Sequence, residues 1–238
     1  MLLNVFSVAI LGEGVVMIQF HKMIYYDIHT HHASESSEEH VLMNFIVGVD
    51  SKKMLSNKDN VSYSVGIHPW YIKDVNKQME DCKALISFPG VIAIGEIGLD
   101  KFTDYSLQEQ WDVFKQQALL AEENGLFVII HCVKAWNELI ALKKELRPAM
   151  PWVIHGFRGN VQLAKQLIRE GFFLSFGKYF QIEAVRVAWP DKLFVETDDS
   201  NMDIHSVYAA ISTSLGLSID VFGRQVAENV HKILLFPL

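Results

Sequence analysis

Short apolar runs alternate with amphipathic stretches along most of the chain. Ile24–Asp27, Asn44–Val49, Ser62–Gly66, Val91–Gly95, Leu126–Ile130, Trp152–Ile154, Phe172–Ser175 and Leu193–Glu196 predict strands. Most are continuously apolar, as strands covered on both faces should be. Helical patterns lie between them. Asp74–Ser87 puts Val75, Met79, Cys82 and Ile86 on one face. Leu107–Asn124 opens with Ser106 and Glu109 at capping-box spacing and stops at Gly125. Asn160 can cap a helix carrying Leu163, Ala164, Leu167 and Ile168, ended by Gly171. Ile204–Leu215 and Ile219–Leu234 complete the set, with Gly223 weakening the last. His32–Met43 is short for a helix, so the first crossover reads as abbreviated.

Eight strands alternating with helices predict an α/β protein built on a parallel sheet. A TIM-like barrel and an open doubly wound sheet both fit, and periodicity does not separate them. No linker, repeat or low-complexity segment divides residues 23–238, which read as one domain. Residues 1–22 are apolar. They lack the leading Lys or Arg and the small-residue cleavage site of a secretory signal, and Glu13 interrupts them. They read as an extension upstream of a start at Met23, or as a peripheral strand. The expected location is cytoplasmic. No apolar run reaches the roughly 18–20 residues of a membrane span, and nothing calls for an obligate protein partner.

Composition narrows the class. With 238 residues, 50% hydrophobic and 21% charged, the chain is not disordered. Two cysteines cannot form a disulfide framework. A net charge of −7 argues against coating nucleic acid by charge alone. It does not exclude a nuclease, because bound divalent metals would add positive charge that this count omits.

The informative polar residues stand at strand ends. His29 and His31 follow the first run and, by alternation, face the same way. Glu96 follows the fourth run between Gly95 and Gly98. A carboxylate there is costly unless paired or coordinated. His131 and His155 directly follow the fifth and sixth runs, and Glu196 and Asp198 close the eighth. Each alone is a weak signal. Together, the four His with Glu96 and Asp198 sit where barrel active sites are built. Imidazole and carboxylate without thiolate suit Zn, Mg, Mn or Fe. Six ligands exceed what one catalytic ion with an open position takes, and suit two divalent metal ions.

The motifs D-I-H-T-H (Asp27–His31), G-I-H-P (Gly66–Pro69), G-E-I-G-L-D (Gly95–Asp100), I-H (Ile130–His131), H-G-F-R-G (His155–Gly159) and E-T-D (Glu196–Asp198) occur in this order. With them the chain resembles the TatD family of metal-dependent deoxyribonucleases, in the amidohydrolase superfamily, from about Ile24 to Leu235. The resemblance implies a TIM-like barrel that hydrolyses phosphodiester bonds in DNA, often from the 3′ end. It implies that His29 and His31 hold one metal with Asp198, that His131 and His155 hold the other, and that Glu96 bridges them. Asp198 would accept the proton of the attacking water, and His68 would sit beside the scissile phosphate. Glu96, where many amidohydrolases use a modified lysine, favours phosphoesters. Glu196 either supports a ligand or is ordinary strand-end polarity, and Asp27 either supports the histidines or ends its strand.

Two positions depart from the family pattern. Val133, followed by Lys134, stands where the family commonly has an arginine, and Arg158 stands where it has a serine. Lys134 and Arg158 are therefore expected to contact phosphate, the alternative being solvent charges. The segment after Asp199 is short, which leaves substrate choice open. Trp70, Tyr71, Phe102, Tyr105, Phe157 and Tyr179 fall in or near rim loops, where some could stack on bases. Cys82 and Cys132 lack a nucleophile's partners. Two other readings remain: hydrolysis of another nucleic-acid-linked ester, such as deacylation of D-aminoacyl-tRNA, and a non-catalytic metal-binding scaffold. The complete ligand set opposes the scaffold.

Overall fold

The computed structural model describes residues 5–11, 14–20, 23–50 and 55–235. The extension reading of residues 1–22 falls partly outside them. Within it, β1 (Val5–Leu11) and β2 (Gly14–Phe20) pair antiparallel with each other and share no ladder with the main sheet.

The main sheet runs in sequence order through β3 (Tyr25–Thr30), β4 (Glu39–Ile46), β5 (Val61–Gly66), β6 (Val91–Asp100), β7 (Phe127–Val133), β8 (Trp152–Ile154), β9 (Phe173–Phe176) and β10 (Leu193–Val195), all parallel. The two ends then meet. Thr30 bridges Asp198 in parallel, the His31 N–H donates to the Asp198 carbonyl at 3.2 Å, and the Asp198 N–H donates to the His29 carbonyl at 3.0 Å. The ring is thereby closed, which excludes the open doubly wound sheet.

Helices α1 (Val75–Leu85), α2 (Leu107–Glu123), α3 (Trp136–Leu146), α4 (Val161–Arg169) and α5 (Ile182–Ala188) fill the later crossovers, and α6 (Ile204–Leu215) and α7 (Ile219–Leu234) follow β10. Ser106 and Glu109 form the expected capping box on α2, and Asn160 caps α4 through the Leu163 N–H. Gly223 does not break α7. A Cβ there would overlap Met23 Sδ, so the residue is small because the chain entering β3 crosses close above it. No single helix among the described residues is long and apolar enough to cross a membrane.

The second strand lies at Glu39–Ile46, earlier than the apolar run Asn44–Val49 predicts. Its polar start is partnered: Glu39 accepts from Ser34 Oγ and meets His205 Nε2 at 2.9 Å, and His40 Nε2 meets Ser62 Oγ at 3.0 Å. Helices α3 and α5 also carry no sequence signal at their N-termini, since neither Ala135 nor Gln181 makes a side-chain cap.

Side-chain alternation divides the core in two. Ile28, Leu42, Ala93, Phe127, Ile129, Val153 and Phe194 form one cluster with Val230 and Ile233 of α7, filling the barrel lumen. The larger cluster, with Val41, Val65, Ile94, Val128, Ile154, Leu174 and Val195, lies between strands and helices. This phase decides which strand-end residues point inward.

Candidate metal centre

Strict alternation carries several residues into the lumen above the apolar layers. His131 continues the phase of Phe127 and Ile129, His155 that of Val153, Asn44 that of Leu42, and Glu196 that of Phe194. Glu96 would point outward, because Ala93 is luminal. The ladder corrects this. Ile94 pairs with Val128 and Ile97 with Ile130, so β6 has one extra residue between them. Ile97 and Leu99 then face the helices, while Glu96, Gly98 and Asp100 turn inward. A similar shift in β3, between Asp27 and Thr30, follows luminal Ile28 and turns His29 inward, with His31 one repeat further on.

The turned strands meet at Glu96, which is 4% exposed. Its Oε1 lies 2.7 Å from His155 Nε2, 2.8 Å from His131 Nδ1 and 3.3 Å from His68 Nε2. Its Oε2 lies 3.4 Å from His29 Nε2 and 4.0 Å from His31 Nε2. Asp198 Oδ1 approaches His29 and His31 at 3.6 and 3.7 Å. All six expected ligands and His68 are thus gathered at one end of the barrel. Asp198 adopts a left-handed backbone, φ 57°, where the chain leaves the closing seam.

Neighbours hold these side chains. Asn44, which belongs to none of the motifs, donates from Nδ2 to Glu96 Oε2 at 3.2 Å and accepts from the Glu96 N–H at 2.9 Å. A buried Asn within an apolar run was the available signal. Asp100, inside a quoted motif but given no role, places Oδ2 2.9 Å from His131 Nε2. A proton shared there leaves His131 Nδ1 to face the centre. Glu196 accepts from the Gly156 N–H at 2.5 Å and lies 3.5 Å behind His155 Nδ1, so it backs a histidine. Asp27 accepts from the Thr197 N–H and hydroxyl at 3.0 and 2.6 Å, and braces the closing seam instead of the histidines.

Gly98 lets β6 and β7 approach here. A Cβ on it would overlap the His131 carbonyl oxygen, so Gly98→Ala must push the two strands apart. Overpacking of this kind costs about 1–3 kcal/mol. We expect Tm to fall by about 2–10 °C at this chain length, with metal retention falling more steeply because His131 moves. An unchanged melt with normal metal content would refute the close approach.

Burial opposes the charged form of Glu96, but the charge of His155 and the bonds from His131 and His155 outweigh it and hold the carboxyl well below the usual range. Burial likewise opposes ionisation of Asp198, and His29 and His155 nevertheless bring it down to about 2. Burial should also depress His29 and His155. Instead Asp198 and Glu96 raise His29 to about 9, and Glu96 and Glu196 raise His155 well above the usual range. The carboxylates therefore demand positive charge at the centre. Both ring nitrogens of fully buried His29 lack a hydrogen-bond partner. An uncompensated buried imidazole beside anionic oxygens fits a divalent cation, with neutral nitrogen as ligand.

At the rim, Lys134 and Arg158 are exposed and line one open cavity of about 590 Å³ with His131, His155 and Asp198. Arg158 also lines a neighbouring groove with Lys178 and Tyr179, its guanidinium carbon 5.0 Å from the Tyr179 ring centre. Phe157 is not a rim residue: it is buried between Trp136 and Phe176. Burial pushes the thiols of Cys82 and Cys132 up to about 12, which rules out either as a nucleophile near neutral pH.

A closed parallel barrel with His, Glu and Asp converging at its C-terminal end is the architecture of a metal-dependent hydrolase. The chain belongs to the TatD-related DNase family, whose model matches residues 26–234. It is 31% identical over 169 residues to the uncharacterized metal-dependent hydrolase YabD of Bacillus subtilis, covering 64% of this chain and 66% of that one. It is 32% identical over 146 residues to the 3′-5′ ssDNA/RNA exonuclease TatD of Cronobacter turicensis, covering 57% and 56%. The matched stretches thus span two thirds or less of these relatives' lengths. Among solved structures, the fold resembles the TatD homologue YjjV of Escherichia coli K12, with a TM-score of 0.76 at 20% identity over 90% of this chain and 98% of that one. It also resembles a TatD-family hydrolase of Entamoeba histolytica, with a TM-score of 0.71 at 20% identity over 91% and 99%.

Proposed function

We propose that this metal-dependent hydrolase is a two-metal phosphodiesterase that removes nucleotides from the 3′ end of DNA. The observation that carries the reading is the division of Glu96: Oε1 faces His131 and His155, and Oε2 faces His29 and His31. A carboxylate whose two oxygens address two imidazole sets is built to bridge. His29, His31 and Asp198 would hold one ion, and His131 and His155 the other. Two divalent cations there would polarise a phosphoryl oxygen and lower the pKa of a water between them towards neutrality.

The protein's own groups supply the remaining steps. Asp198, ionised near neutral pH, accepts the proton of the attacking water. The Trp70 N–H donates to His68 Nδ1 at 3.1 Å, which leaves the His68 proton on Nε2, facing the centre. Burial pushes His68 below its usual range, so it acts as a neutral donor to a phosphate or leaving-group oxygen. Arg158, and more weakly Lys134, bind non-bridging oxygens. Two free buried thiols support a cytoplasmic location.

Metal analysis of the isolated protein should give two ions per chain. Hydrolysis of 3′-labelled single-stranded DNA should far exceed that of D-aminoacyl-tRNA assayed beside it. Preferential deacylation of the tRNA would overturn the phosphodiester reading, and full metal with neither activity would favour a binding scaffold.

Arg158→Ala should lower kcat/KM on DNA by about 10- to 150-fold with metal content unchanged, the scale of a hydrogen bond to a charged group at roughly 1.5–3 kcal/mol. Lys134→Ala should do less, since Lys is a flexible point charge. Parent rates in both single variants and the double variant would make these solvent charges.

A further inference from the structure

Trp70 lies in the loop after β5, two residues beyond His68, and is 52% exposed. Its indole is nevertheless fixed. Nε1–H donates to Asp100 Oδ2 at 2.7 Å, and Asp100 is itself 1% exposed. The same oxygen meets His131 Nε2, and Oδ1 accepts from the Phe102 N–H at 2.8 Å, so the carboxylate is held on every side. The Trp70 backbone is tied to His68. The ring meets the imidazoles of His68 and His131 edge-on, at 90° and 75°. What remains open lines the 590 Å³ cavity that also contains His131, His155, Arg158 and Asp198.

The half-exposed indole, already held by its hydrogen bond, offers the cavity a flat and preordered aromatic face. The hydrogen bond removes the rotational freedom that a stacking partner would otherwise have to restrict. Arg158 and Lys134 on the same cavity supply positive charge for an anion. A planar group joined to a phosphodiester matches both walls.

We propose that Trp70 is the stacking platform for a nucleobase flanking the scissile phosphate, so that the enzyme binds a base on one wall and the phosphate at the metals. This rests on the phosphodiester reading above. Stacking on an aromatic tolerates every base, which suits degradation without sequence preference. Asp100 then has a double position, orienting both the platform and a metal-facing imidazole.

The test compares parent, Trp70→Ala and Trp70→Phe on single-stranded DNA. The oligonucleotides are intact, or carry one abasic residue on either side of the terminal phosphodiester. Trp70→Ala is expected to raise KM about 10-fold on the intact strand, the scale of one base-stacking contact, with the smaller change in kcat and normal metal content. Trp70→Phe, which keeps a ring but no donor, should recover most of that loss. The abasic residue at one of the two positions should raise the parent's KM similarly and shrink the Trp70→Ala effect severalfold. Equal losses on intact and abasic strands, or a shared fall in kcat and metal content in both variants, would overturn the platform in favour of a role confined to positioning Asp100. An unchanged KM in Trp70→Ala would also overturn it. A parent inactive on every oligonucleotide would remove the phosphodiester reading itself and this inference with it, whereas an active parent with an indifferent Trp70→Ala would remove only the inference.

Discussion

Asp198→Asn is expected to lower DNA hydrolysis by about 10³-fold or more while the barrel stays closed, with a lowered Tm because buried His29 loses an anionic partner. On the proposed mechanism Asp198 is the proton acceptor, whose loss alone costs roughly 10²–10⁴-fold, and the change also removes one of the proposed anionic ligands. Volume is nearly conserved. The backbone position is also compatible, since φ is 57° and asparagine enters the left-handed region more readily than most residues. The bonds that close the ring use the main chain of residue 198, its N–H to His29 and its carbonyl to the His31 N–H. The amide leaves both in place. Single-turnover rates, metal content and a thermal melt check the expectation. Turnover within about tenfold of the parent at full metal occupancy would assign water activation to another group.

The parallel strands and the candidate ligands at their ends are legible in the sequence because each rests on patterns of a few residues, whereas closure of the sheet into a barrel is not, since the same periodicity fits an open sheet. Buried parallel strands read as apolar runs, and the ligands interrupt those runs at their ends. The phase of the ligands was not legible. Glu96 points inward only because β6 has one more residue than β7 between Ile94 and Ile97. No local pattern announces such a shift, since it belongs to the pairing of two strands. Asn44 and Asp100 were missed for the same reason: each acts on a residue far away in sequence, Glu96 or His131. Helix α3 ends at Arg147 in a left-handed conformation without the usual glycine, and α5 has only seven residues, so neither carried the punctuation by which the other helices were read.

The same pairing makes Glu96→Gln the harshest single change at the centre. The amide keeps one carbonyl oxygen and replaces the other with an NH₂. If the oxygen stays with the Asn44 side-chain amide, 3.2 Å from Glu96 Oε2 in the parent, the NH₂ faces His131 and His155. It then places donor hydrogens where a cation would bind. The reverse orientation spoils the His29 and His31 side instead. Either way one imidazole set loses its shared anion, and the negative charge that attracts both ions falls by one. Outer partners of metal ligands are worth about 10–100-fold in affinity, so if Glu96 bridges two ions as proposed, its loss should exceed about 100-fold and leave at most one ion per chain. Hydrolysis should disappear with it. The metal-free chain should lose stability, since His155, His131 and His29 hold Glu96 ionised and the neutral amide leaves these imidazoles without their shared anion. The response to metal separates this loss from the loss of binding. The parent's Tm should rise with added divalent metal, as for any ligand that binds only the folded state, whereas Glu96→Gln should start below the metal-free parent and respond far less. Two ions bound to Glu96→Gln at parent affinity would show that the two imidazole sets hold their metals without a bridge.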